Sequence, residues 1–278
     1  MSMSIRGRFH HFRAPAFVAC LAGLIGTTQA ATVDANYGQL GNQAYVQGGT
    51  QSLSFSSDML NFLDTGKIQV APYSGAAVTS QKDADGFYTQ INTQTILVSL
   101  QTSDNTANIV GINTTGGLTL TAPFLKNIST SGMLTLSDWH IDTQTREVST
   151  TVIGANGVGT RQPQALWQAS DIQTSLVNKG HWDGNLDFYD YTVTLTGLGL
   201  TDYGRTTFIQ ALGLQALGTG ALDSVSEQGT LTTKITFLAA PGFSPAVPEP
   251  ATWVTLCMGL VGLVAVARRS RSKHPCSH

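Results

Sequence analysis

Tyr191-Thr192-Val193-Thr194-Leu195-Thr196 alternates large apolar side chains with hydroxyls, and Leu231-Thr232-Thr233-Lys234-Ile235-Thr236-Phe237 repeats the alternation further on. Successive side chains of a strand point to opposite faces, so each stretch sets an apolar face against a hydroxyl face. A sheet that is wet on one side is antiparallel. Working outward, Leu118-Thr119-Leu120-Thr121 and Leu134-Thr135-Leu136-Ser137 show the same period, and the separators are glycine-rich: Gly116-Gly117, Gly154 to Gly157, Gly197 to Gly199. Further strands are predicted near 52–57, 67–72, 86–100 and 164–176. Strands at this spacing without alternating helices predict a mainly β fold, an antiparallel β-sandwich. One short helix is predicted over Asp202–Leu217, capped by Thr201 or Asp202 and weakened by Gly204 and Gly213.

One hairpin is legible in detail. Gly132 to Ile141 and Glu147 to Ile153 flank the polar turn Asp142-Thr143-Gln144-Thr145-Arg146. Within the first arm the apolar phase slips by one, from Leu134 and Leu136 to Trp139 and Ile141. Either a bulge sits near Ser137–Asp138 or both faces are covered there; the bulge is the better reading, because it keeps Asp138, His140 and Asp142 out of the core.

The chain of 278 residues is 41% hydrophobic but only 12% charged, about half the usual charged fraction. Uncharged Thr, Ser, Asn and Gln fill the gap, which suits sheet better than solvent-facing helix. All 17 acidic residues lie between Asp34 and Glu249, and only 8 of the 15 basic residues do, leaving that interval at a net −9. Such a domain is repelled by phosphate backbones, so no nucleic-acid partner is expected. Cys20, Cys257 and Cys276 all lie outside it, so it carries no disulfide framework and no thiolate chemistry.

The ends read as addresses. Residues 1–30 form a secretory signal: basic Arg6, Arg8 and Arg13, an apolar run from Ala14 to Ile25, and small residues placing signal-peptidase cleavage at Ala30–Ala31. The exported domain spans 31–244, followed by a proline-containing linker at 245–250. Residues 251–267 carry no charge and meet the basic tail 268–278, which opens with Arg268, Arg269 and Arg271. Seventeen helical residues reach roughly 25 Å, enough for a thin bilayer, and the arginines set the cytoplasmic side.

Val247-Pro248-Glu249-Pro250, the apolar span and the arginine cluster, in that order, resemble the PEP-CTERM sorting signal recognised by exosortases. The resemblance covers about residues 247–271, and the tail from Ser272 to His278 runs longer than such signals usually do. It implies a Gram-negative protein that is exported, held at the inner membrane by its C-terminal helix, and cut near Glu249–Pro250. The product is then expected at the cell surface or in the extracellular matrix, in association with exopolysaccharide and biofilm. The layout of Gly132 to Phe237 also resembles that of HtaA-type haem-binding surface domains.

Local chemistry is sparse. Lys82-Asp83-Ala84-Asp85-Gly86 has the D-x-D-G turn of calcium loops but lacks their remaining oxygen ligands, so a hairpin turn is the plainer reading. His181 to Asp190 crowds acids and aromatics; the plainer reading is a turn followed by an aromatic-rich core strand, and for a ligand site Trp182, Asp183, Asp187 and Tyr189 are its candidate residues. Aromatic faces stack on sugars, and converging carboxylates bind calcium, the one cofactor this segment suggests; no metal site is otherwise expected. Alternation sets Asp187 and Tyr189 on one face and Phe188 and Asp190 on the other. The carboxylates therefore meet only if the chain turns at Asp183-Gly184-Asn185. His140 and His181 are the only histidines of the exported domain, and it has neither H-E-x-x-H nor G-x-S-x-G. A noncatalytic surface or matrix protein is the leading expectation. A carbohydrate- or haem-binding module is the alternative, and a secreted polysaccharide hydrolase the third.

Overall fold

A computed structural model describes residues 31–34, 39–40, 44–102, 109–183 and 186–241. In chain order these form β1 (Ala31–Asp34), β2 (Gln39–Leu40), β3 (Ala44–Phe55), α1 (Ser57–Thr65), β4 (Gln69–Tyr73), β5 (Ala77–Lys82), β6 (Tyr88–Thr102) and β7 (Ile109–Thr115). There follow β8 (Gly117–Leu125), β9 (Ser129–Asp142), β10 (Glu147–Gly154), β11 (Gly159–Asp183), β12 (Leu186–Leu200), α2 (Asp202–Ala211), α3 (Ala216–Asp223) and β13 (Gly229–Ala239). The alternating stretches are strands, as expected. On β12, Tyr191, Val193 and Leu195 are buried while Thr192, Thr194 and Thr196 stay half-exposed.

All pairings are antiparallel, and they close on themselves. β6, β7, β9, β10, β11, β12, β13 and β3 pair in succession, and β3 pairs back onto β6. The two walls that a sandwich predicts are thus joined by hydrogen bonds into one ring. The ring is steeply sheared. Thr115 leads through Ile96, Thr50, Lys234 and Thr192 to Ser175 on β11. Asn113, two residues earlier, leads the other way through His140 and Ser149 to Ala165. Tilt of this kind closes an eight-stranded ring around a side-chain-filled interior. That interior is lined by Leu100, Ile112, Ile141, Val148, Tyr191, Leu231, Ile235 and Phe237, all buried.

The predicted bulge is present. His140 pairs with Ser149 but Ser137 with Thr151, so Asp138 and Trp139 face Thr150 alone, and Asp138 takes φ 52°. Leu134, Leu136, Trp139 and Ile141 are all buried as a result. At the same level the neighbouring strand bends at Gly116 (φ 80°), below which β7 pairs with β6 and above which β8 leaves it. The β4–β5 turn wedges into that fork. A Cβ on Gly116 would lie 2.7 Å from the Ser74 carbonyl.

The helices differ from the single predicted one. Thr201 caps α2 as expected, its hydroxyl accepting from the Gly204 N–H at 3.0 Å. The helix stops at Leu212 because Gly213 turns to φ 61°, and the Ser129–Leu214 bridge pulls the chain back onto β9. The remainder restarts as α3. α1 was not anticipated: its nine residues bury Met59, Leu60, Phe62 and Leu63, and Ser56 caps it by accepting from the Met59 N–H at 3.1 Å. All three helices lie at the ring end marked by Phe55, Gly154 and Leu200. The opposite end, the mouth, carries Ala44, Asp142, the β11–β12 hairpin and the end of β13. Among the described residues no helix is long and apolar enough to cross a membrane. The span at 251–267, the signal at 1–30 and the basic tail lie outside the described residues.

Candidate functional site

The mouth holds the segment singled out as a ligand site. β11 and β12 pair antiparallel down to Asp183 opposite Leu186, and Gly184 and Asn185 of the predicted turn lie outside the described residues. Behind the turn, Asp187 is clasped from two sides. His181 Nδ1 lies 2.9 Å from its Oδ1, and the Asn178 amide donates to its Oδ2 at 2.9 Å. These contacts, the histidine first, hold the Asp187 carboxyl below its ordinary pKa.

Asp190 stands on the other face of β12. It accepts from the Thr236 hydroxyl at 3.2 Å and lies 3.6 Å from Lys179 Nζ. Asp187 and Asp190 are therefore not brought together, as strict alternation requires once β12 begins before Asp187. Among the described residues no three His, Cys, Asp or Glu side chains gather closely enough to hold a metal ion.

The aromatic residues divide as well. Trp182 is 59% exposed and meets Phe188 edge to face at 4.8 Å. Tyr189, which a binding loop would leave partly exposed beside it, is only 4% exposed. It lies opposite Phe237 on the inner wall, with its hydroxyl 3.4 Å from the Ala240 carbonyl. Tyr189 is thus a core residue, because it shares the inward phase of Tyr191 and Val193. The other acidic candidate is a turn. The Asp83 carboxylate accepts from the N–H groups of Asp85 at 3.0 Å and Phe87 at 2.9 Å, closing the β5–β6 hairpin with its own side chain.

Two polar features escaped the sequence. Inside the ring, Thr233 faces Gln51 and Gln51 faces Thr95, while Thr93 and Thr114 lie on the flanking inner positions. The hydroxyls of Thr93, Thr95 and Thr114 and the indole N–H groups of Trp139 and Trp167 are buried without a hydrogen-bond partner in the protein. The available signal was a threonine in an inward phase, as at Thr233 between Leu231 and Ile235. On the outer face, His140 Nδ1 lies 2.7 Å from Asn113 Oδ1, and the Asn113 amide donates to Ser99 Oγ at 2.9 Å. Partial burial holds His140 below its ordinary pKa, opposed by the nearby Asp142. These three residues stand opposite one another on β6, β7 and β9, a juxtaposition that pairing register alone creates.

The address residues have a different standing. Ala31 opens β1 opposite Thr102. Ala30, Val247, Pro248, Glu249, Pro250, Arg268, Arg269 and Arg271 lie outside the described residues. β13 ends at Ala239 on the mouth side. The family model of the PEP-CTERM protein-sorting motif matches residues 246–271. The chain therefore carries this sorting motif at its C-terminus, which marks it for export and for sorting by an exosortase. No curated protein and no solved structure matches the chain.

Proposed function

We propose that this chain is an exosortase-processed surface or matrix protein whose β-ring domain is delivered outside the cell and acts by association, without catalysis. The observation that carries the export and processing is the PEP-CTERM motif at 246–271, a few residues beyond β13 in the sequence. Cleavage near Glu249–Pro250 removes the uncharged span 251–267 and the basic tail together. What is released is the acidic interval, at a net −9, which has lost its only strongly apolar segment beyond the ring. Exopolysaccharide is the medium such a product enters.

The test is expression with and without an exosortase. Mass spectrometry of the exported protein should show an N-terminus near Ala31 and loss of everything after Pro250. Replacing Pro248-Glu249-Pro250 with Ala-Ala-Ala should leave the chain in the membrane fraction. Release of the triple-alanine chain at the original rate refutes exosortase sorting.

One observation favours binding as the mode of association. Trp182 presents an open indole face at the mouth, braced by Phe188, as sugar-stacking residues do. Trp182→Ala should then weaken retention on the matrix polysaccharide without changing the melting temperature.

A further inference from the structure

β11 is far longer than the strand beside it. Its pairing with β10 ends at Gln168 opposite Glu147. One more clasp follows, where the Ala169 N–H donates to the Arg146 carbonyl at 3.0 Å and Arg146 Nη1 donates to the Ser170 carbonyl at 2.7 Å. From Asp171 to Asp183, β11 pairs with β12 on one side only, and no other described strand lies along its outer edge. The shear of the ring leaves this edge: β10 has turned back at Asp142–Glu147 while the β11–β12 wall continues to the mouth. An uncovered edge of this length presents its N–H and C=O groups for strand pairing. Natural edges are usually blunted by proline, frequent charge or early bulges; Asp171 to Lys179 has no proline and only its two terminal charges, and the register against β12 runs unbroken from Asp171 to Asn178, the bulges coming only after it.

Those two charges suit a second copy of the same strand. Asp171, Gln173, Ser175, Val177 and Lys179 share the exposed face, and Gln173 Nε2 donates to Asp171 Oδ2 at 3.1 Å along it. Ile172, Thr174 and Leu176 share the half-buried face. We propose that two copies of this chain pair antiparallel along β11, with the two-fold axis at Ser175. In this register Asp171 of each copy stands opposite Lys179 of the other, so the pairing forms two opposite-charge contacts. Val177, half exposed in the single chain, lies against the second copy's Gln173. Shifting the register by one residue separates both charge pairs and exchanges the faces, so the register is specified. Lys179 also reaches Asp190 in the single chain, a solvent-exposed contact that the second copy's Asp171 extends into a three-residue cluster. The two barrels then share one continuous sheet across their mouths.

Cysteine trapping in the full chain tests this, with Cys20, Cys257 and Cys276 replaced by serine so that an introduced cysteine is the only thiol. Ser175→Cys faces itself across the axis, at a separation a disulfide spans, and should give a linked dimer as the main species under mild oxidation. Gln173→Cys alone should remain monomeric, whereas mixing it with Val177→Cys should give the crossed dimer. Lys179→Asp should cut Ser175→Cys trapping about tenfold, and Asp171→Lys added to it should restore trapping. The pairing is overturned if folded Ser175→Cys stays monomeric, or if Gln173→Cys alone links as efficiently. It is equally overturned if the charge reversal leaves trapping unchanged. A melting curve on each variant separates loss of fold from loss of pairing.

Discussion

The N–H of Asp138 donates to the carbonyl of Gly116 across 3.1 Å, and both residues hold left-handed backbone, at φ 52° and 80°. Two adjacent strands bend at one level here. On one side of the bend β9 pairs with β8 and on the other with β7, while β7 pairs on to β6 and completes the ring. Without the paired bend, β8 continues beside β6 and the fork that receives the β4–β5 turn does not open.

Substitutions at this pair should differ in size. Asp138→Gly removes the left-handed penalty and should leave stability within about 1 kcal/mol of the parent, whereas Asp138→Val should cost about 2 kcal/mol. Gly116→Ala adds a Cβ 2.7 Å from the Ser74 carbonyl in a left-handed conformation and should cost more than about 2 kcal/mol. Urea denaturation midpoints at constant m-value check all three.

Gly204 seats α2 on the ring. Alanine there gains about 1 kcal/mol of helix propensity, but its Cβ would lie 2.3 Å from the Leu166 carbonyl, a backbone atom that cannot rotate aside. Overpacking of that kind costs about 1–3 kcal/mol and requires the helix to move. Gly204→Ala should therefore destabilise the domain despite improving the helix, as a lowered melting temperature reports.

His140 should make the domain acid-sensitive in a defined window. Its folded-state pKa is depressed by burial, so the unfolded chain binds the proton more readily. Stability is then full above the unfolded histidine pKa, about 6.5, and declines as pH falls from there through the folded value. His140→Gln, which can still donate to Asn113, should flatten the change in denaturation midpoint between pH 7.5 and 5. An unchanged slope assigns the sensitivity elsewhere.

The inward hydroxyl of Thr95 has no partner in the protein, and leaving a buried hydroxyl unpaired costs about 1–3 kcal/mol. Valine has the same shape without the oxygen. Thr95→Val should raise the melting temperature, and a lowered one identifies a hydrogen bond that this hydroxyl makes inside the ring.

Local chemistry settled a good deal in advance. Alternation in Tyr191–Thr196 and Leu231–Phe237 specified strands, their antiparallel sense and their wet faces, because a two-residue period has one geometric meaning. The slip between Leu136 and Trp139 pointed to a bulge or to two covered faces, and the pairing register of β9 with β10 decided for the bulge. The order Val-Pro-Glu-Pro, apolar span, arginines specified an address, because processing enzymes and bilayers read linear sequence. Other features needed the folded chain. α1 spans too few turns for a helical period to stand out, and its four apolar residues are sorted only by the ring end they cover. Alternation told that Tyr189 and Asp187 share a face and Asp190 does not, but not that this face is the inside of a closed ring. Closure depends on Thr115 meeting Ile96 and His140 meeting Asn113, contacts between residues whose own neighbours carry no record of them. The same shear that closes the ring decides which polar side chains are buried, where β10 stops, and how much of the β11 edge is left open.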